Sequence, residues 1–160
     1  MGSHNLKIAG LICIGFALLS AGAQVEAAPA QPTLSNPQVR LWYEETGKLS
    51  GNIAGPNPVT LWNICIGEGE AEEIANDALF TVDVRPGEQN ASVPLTLAAT
   101  GPNGKVIASR TYRSILTGES GSATLALWVP EVGCGVGRVV FSARLGGASQ
   151  SLTLDFDGGE

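Results

Sequence analysis

The sequence predicts an all-β protein, an antiparallel two-sheet sandwich of about seven strands with an extra hairpin at its N-terminal side. Short segments alternate apolar and polar side chains with the period of two that puts successive residues on opposite faces of a sheet. Turn signals built from Gly, Pro and Asn separate these segments at intervals of roughly ten residues. With 21 glycines and nine prolines in 160 residues, there is little room for long helices.

Taken in order, Lys7 opens an apolar run, residues 8–21 (IAGLICIGFALLSA), which is followed by GAQVEA, where Val25 and Ala27 supply the small residues a signal peptidase reads. Residues 1–27 are therefore expected to be an export signal. The run is shorter than the ~20 residues that cross a bilayer, and no later stretch approaches it. The expected mature chain has no membrane anchor and lies in the periplasm or outside the cell. Cys13 sits inside the run behind bulky Ile12, a poor setting for lipidation. Residues 28–37 (APAQPTLSNP) carry three prolines and no periodicity and read as a flexible linker, leaving 38–160 as one domain.

Within that domain, residues 38–54 read as the extra hairpin, turning at Thr46-Gly47, and residues 59–157 as the sandwich. VTLWNICI, residues 59–66, is an almost continuous apolar run of strand length, as in a strand covered on both sides. One helical turn at most is expected in the acidic segment EAEEIANDA. Phe80, Val82 and Val84 then alternate with Thr81, Asp83 and Arg85. Leu95, Leu97 and Ala99 repeat the pattern before Gly101-Pro102-Asn103-Gly104, where proline presets φ and Asn-Gly accepts positive φ, so that KVIASRTYR returns as a hairpin. Leu125, Leu127 and Val129 form another inward face, and residues 133–137 (GCGVG) are too glycine-rich for a strand. Val139, Phe141, Ala143 and Leu145 face inward, Gly146-Gly147 turns the chain, and Leu152, Leu154 and Phe156 complete a last hairpin.

That closing segment, GRVVFSARL followed by GGASQSLTLDF, resembles the last hairpin of bacterial exported immunoglobulin-like or fibronectin-like β-sandwich domains. The resemblance covers about a hundred residues through strand rhythm and turns, and implies an adhesion or assembly module. It assigns no functional residue. The chain departs from immunoglobulin domains in having Cys134 in a loop and Phe141 where a corner tyrosine stands.

Composition removes several functions. Net charge is −6 and the basic residues are scattered singly, which argues against nucleic acid as a partner. Removing residues 1–27 takes away one acid, Glu26, and one base, Lys7, and leaves the charge unchanged. It also removes His4, the single histidine, and with it Ser-His-Asp and Cys-His nucleophile systems and histidine-ligated zinc. Lys48 and Lys105 flank turns, where an ammonium stays solvated and cannot serve a Ser-Lys dyad. The expected function is a non-enzymatic binding or structural accessory domain with a protein or carbohydrate partner and no cofactor. The alternatives are a calcium-stabilised adhesion module and a small carboxylate-only glycoside hydrolase, which would need a cleft holding two acids. Oligomeric state is left open.

Four features carry candidate sites. Cys65 and Cys134, the two cysteines of the expected mature chain, pair naturally in an oxidising compartment and are read as one disulfide; the alternative is two separately buried small hydrophobes. Glu68, Glu70, Glu72 and Asp77 place carboxylates in a flexible loop, as a hard cation requires, although such loops are more often simply solvated. Trp42 and Trp128 fall on outward strand positions, either as a carbohydrate or protein platform or as core covered by the extra hairpin. Asn90-Ala91-Ser92 matches a glycosylation sequon.

Overall fold

A computed structural model describes residues 30–87 and 93–159, so the expected export signal and the Asn90 sequon lie outside the described residues. Eight strands form two antiparallel sheets: β1 (Thr33–Tyr43), β2 (Lys48–Leu49), β3 (Ala75–Arg85), β4 (Leu95–Thr100), β5 (Val106–Tyr112), β6 (Ala123–Val129), β7 (Gly137–Leu145) and β8 (Ala148–Phe156). The first sheet has the order β2-β1-β3-β6 and the second β5-β4-β7-β8. Apart from the two-residue β2 there are seven strands, the expected number but not the expected set, since β1 takes the place of the strand expected at residues 59–66; the chain crosses between sheets from β3 to β4, β5 to β6 and β6 to β7.

Alternation decides what is buried. Val39, Leu41, Phe80, Val82, Val84, Leu127 and Val129 line the first sheet's inner face, and Leu95, Leu97, Ala99, Val139, Phe141, Ala143 and Leu145 line the second's. Phe141 sits at the centre, its ring centroid 5.6 Å from that of Phe80 and 6.3 Å from that of Phe156. Leu152 and Leu154, on the edge strand β8, are only partly buried against this core. One open side is tied by Tyr112 of β5, whose hydroxyl donates to the Ala126 carbonyl at 2.6 Å and accepts from the Ala126 N–H at 3.3 Å.

Three expectations need correction. The segment read as a linker ends inside a strand, since Thr33, Leu34 and Ser35 pair with Arg85, Val84 and Asp83. A bulge at Asn36 and Pro37 hid it: Asn36 is left-handed at φ 51°, and proline, which has no N–H to give a ladder, is tolerated at a bulge. β1 is consequently an inner strand of the first sheet, and the hairpin expected as an addition supplies the sandwich's own first strand.

Residues 59–66 are not a strand. Asn63 at φ 43° and Gly67 at φ 83° bracket a single 3₁₀ turn, Ile64–Ile66, so the apolar run curls across one end of the sandwich. Leu61 and Ile64 are buried, whereas Trp62 and Ile66 remain 42% and 64% exposed. The acidic segment, where one helical turn at most is expected, holds none and runs into β3. A bulge opposite Trp42 and Tyr43 reverses its phase, turning Ala75 inward and leaving Asp77 in step with Leu79.

The free edge of β1 is closed by side chains. Beyond β2, Ser50 Oγ accepts the Leu41 N–H at 2.8 Å and Asn52 Oδ1 accepts the Val39 N–H at 3.1 Å, substituting for a neighbouring strand's carbonyls.

Candidate binding face

The outer face of the first sheet collects both outward tryptophans. Because Val39, Leu41 and Tyr43 point into the core, Gln38, Arg40 and Trp42 point out of β1; the same alternation sends Asp77, Leu79, Thr81 and Asp83 out of β3, and Thr124, Ala126 and Trp128 out of β6. Strand register sets these in rows. Leu49, Trp42 and Asp77 form one, Arg40, Leu79 and Trp128 the next, then Gln38, Thr81 and Ala126, and finally Ser35, Asp83 and Thr124.

One end of the face is aromatic. Trp42 and Trp128 meet edge to face, with ring centroids 5.5 Å apart and an interplanar angle of 65°. The Trp128 indole N–H donates to Asp77 Oδ2 at 2.8 Å, while Asp77 Oδ1 accepts the Glu131 N–H at 3.0 Å. Trp128 is thus fixed by a ring contact and a hydrogen bond while 41% of it stays exposed. Trp42 is half-buried. Neither belongs to the core, so the reading in which the hairpin covers them as interior residues does not describe this face.

The other end is polar. Arg40 Nη2 donates to Gln38 Oε1 at 2.9 Å, Gln38 Nε2 to Asn36 Oδ1 at 2.9 Å and Asn36 Nδ2 to Asp83 Oδ2 at 3.0 Å, while the Thr124 hydroxyl donates to Asp83 Oδ1 at 2.6 Å. This relay runs from a guanidinium to a carboxylate and borders a shallow depression of about 380 Å³, completed by Leu49, Leu79 and Thr81. The Thr124 hydroxyl, and after it the Asn36 amide, hold the Asp83 carboxyl below the usual carboxylate range.

A carboxyl whose folded-state pKa is depressed adds stability that is present above its unfolded pKa and is lost as pH falls through the folded value. The wild type is therefore expected to lose more unfolding free energy than Asp83→Asn between about pH 5 and about pH 2. Denaturant titrations across that range check it, and equal losses would show that Asp83 is not engaged.

The remaining sequence candidates fall elsewhere. Glu68 accepts the Asn63 side-chain N–H at 2.8 Å, Glu70 accepts the Thr60 backbone N–H at 2.8 Å, the Glu72 N–H donates to the Tyr43 hydroxyl at 3.4 Å, and Asp77 holds Trp128. Among the described residues no three His, Cys, Asp or Glu side chains come together as a metal ion would need, so the four acids expected as a calcium set are not assembled. Glu70 and Glu72 do border one small depression of about 150 Å³ beside Leu41, Tyr43 and Ile53. The Thr60 backbone N–H lowers the Glu70 pKa, the opposite of what a general acid for glycoside cleavage requires.

Cys65, on the 3₁₀ turn, is bonded to Cys134, in the loop between β6 and β7, with Cα atoms 5.4 Å apart. The bridge suits an oxidising compartment. No helix among the described residues is long and apolar enough to cross a membrane.

Two features were not anticipated. Trp62, Ile66 and Ile74 are exposed around the loop that closes the sandwich, the first two because the run containing them, which has the composition of a covered strand, curls through a 3₁₀ turn instead. The polar relay also went unseen, although the phases of QVRLW and LFTVDV already place Gln38, Arg40, Thr81 and Asp83 outward; what sequence spacing lacks is the pairing of three strands.

No protein-family model matches the chain, and no curated protein matches it. Among solved structures the chain is similar to the β-glucuronidase of Bifidobacterium dentium, in a complex with coumarin-3-O-glucuronide, at 14% identity and a TM-score of 0.40. The match takes in 79% of this chain and 18% of that one, and carries no argument about this chain's chemistry. What fold and face define is an all-β, two-sheet sandwich with a disulfide across one end.

Proposed function

We propose that the chain is an exported, non-enzymatic binding module that engages its partner through the outer face of the first sheet, with Trp128 as the main contact and Trp42 beside it. The observation that carries the reading is the fixed exposure of Trp128: the residue is 41% exposed, yet the contact of its ring with Trp42 and its hydrogen bond to Asp77 already hold its orientation. A large aromatic surface that is ordered before binding loses little conformational entropy when a partner covers it. Export rests on the apolar N-terminal run and is supported by the disulfide.

Trp128→Ala tests the proposal. Losing one edge-to-face pair and one partly exposed hydrogen bond is expected to lower stability by about 1–2 kcal/mol, leaving the protein folded. Association with the partner in sedimentation of the protein with its host's envelope extract, or self-association if the partner is a second copy, should disappear. A stability loss of about 4 kcal/mol, typical of core truncation, with association unchanged would overturn the reading.

A further inference from the structure

Resting on that reading, we infer that the ligand of this face is a neutral oligosaccharide lying along the sheet from the tryptophan pair toward Asp83 and Thr124. The face supplies two complementary surfaces side by side. An indole presents a flat apolar ring that matches the C–H face of a pyranose, and the edge-to-face pair places two such rings together. The neighbouring relay faces hydroxyls with atoms already held in position. Arg40, Gln38 and Asn36 each spend one N–H within it, although a guanidinium has five and each amide has two, and Asp83 accepts two hydrogen bonds where a carboxylate has room for about four. A polyhydroxylated ligand needs such a mixture of spare donors and acceptors.

Charge narrows the class. Arg40 and Asp83 offset one another at the two ends of the relay, and both oxygens of Asp77 are engaged by the Trp128 indole and the Glu131 N–H, so the face keeps one formal negative charge, that of Asp77, in a chain whose formal charge is −6. That charge disfavours an acidic ligand, and the mixture of spare donors and acceptors along the relay suits an uncharged, hydroxyl-rich ligand better than a basic peptide, whose charged groups bring donors alone. A protein partner of ordinary kind would place the fully desolvated apolar patch at the centre of the contact, whereas here it occupies one end. Trp128 and Thr124 are four residues apart on one strand, roughly 13 Å, and the depression beside them is shallow. These proportions fit a chain of sugars laid across the sheet better than a single ring.

The experiment titrates the folded protein, by calorimetry and tryptophan fluorescence, with tetrasaccharides of gluco, xylo, manno and galacto configuration, and with uronate and sulfated oligosaccharides as the charged arm. At least one neutral series is expected to bind. Trp128→Ala and Gln38→Ala should each weaken it by at least about tenfold, with unfolding of each variant measured in parallel. Should Gln38→Ala fail to fold, Gln38→Glu serves instead, because it still accepts from Arg40 and can no longer donate to Asn36. The inference is overturned if no neutral tetrasaccharide binds, if only charged ones bind, or if the Gln38 variant binds as tightly as the wild type. Trp128-dependent association with a protein or with a second copy, in the absence of sugar binding, would leave the binding face standing and remove the sugar alone. Absence of both would remove the face as well.

Discussion

Phe141→Ala is expected to destabilise the protein by about 4 kcal/mol, enough to unfold a domain of ordinary stability at moderate temperature. Phe141 is fully buried, stands opposite Ala99 on β4 and Leu152 on β8, and contacts the rings of both Phe80 across the sandwich and Phe156 beside it. Truncation leaves a hole bounded by two sheets that cannot close on it, because each is held by its own hydrogen-bond ladder. Val140→Ala, one residue away on the partly exposed outer face of the same strand, is expected to cost less than about 1 kcal/mol. Chemical denaturation of the two variants checks the contrast, and comparable losses would mean that the inner and outer faces are wrongly assigned.

Removing the disulfide with the double substitution Cys65→Ala and Cys134→Ala is expected to cost about 4 kcal/mol, by freeing a large loop in the unfolded chain. The bridged residues are 69 positions apart, so the bond restrains most of the sandwich, β3 to β6 included. The denatured state should expand, and the denaturant dependence of unfolding should steepen in the variant. Wild type in reductant should approach the same stability, and mass analysis without reductant should show the two cysteines linked. A loss below about 1 kcal/mol would show that the closure hardly restrains the unfolded ensemble.

The elements that local rules govern were legible. The β7–β8 hairpin follows from clean alternation on both sides of Gly146, which adopts φ 55°, and the Pro102-Asn103-Gly104 turn from residues that tolerate its geometry. Elements that break phase were not. Pro37 and Asn36 look like linker chemistry because a bulge and a linker call for the same residues, and only the pairing of Leu34 with Val84 distinguishes them. Residues 59–66 have a buried strand's composition, yet Asn63 and Gly67 turn the backbone left-handed, and burial is gained by plugging an end of the sandwich. Spacing misled for the acids as well: carboxylates close in sequence are drawn to Asn63, Thr60 and Trp128. The outward phase of Trp42 and Trp128 could be read from alternation alone. Their meeting, and the relay joining Asn36 to Asp83 and Thr124, depend on long-range strand pairing.

Trp128 and Trp62 are almost equally exposed, at 41% and 42%, but Trp62 lies off the proposed face, on the loop packed against Gly159. Oxidative footprinting of the folded protein, with and without its host's envelope fraction, thus carries its own control. Protection of Trp128 with Trp62 still oxidised at its free rate is the result expected if the outer face of the first sheet binds. Protection of Trp62 alone, or no protection of either, would contradict it.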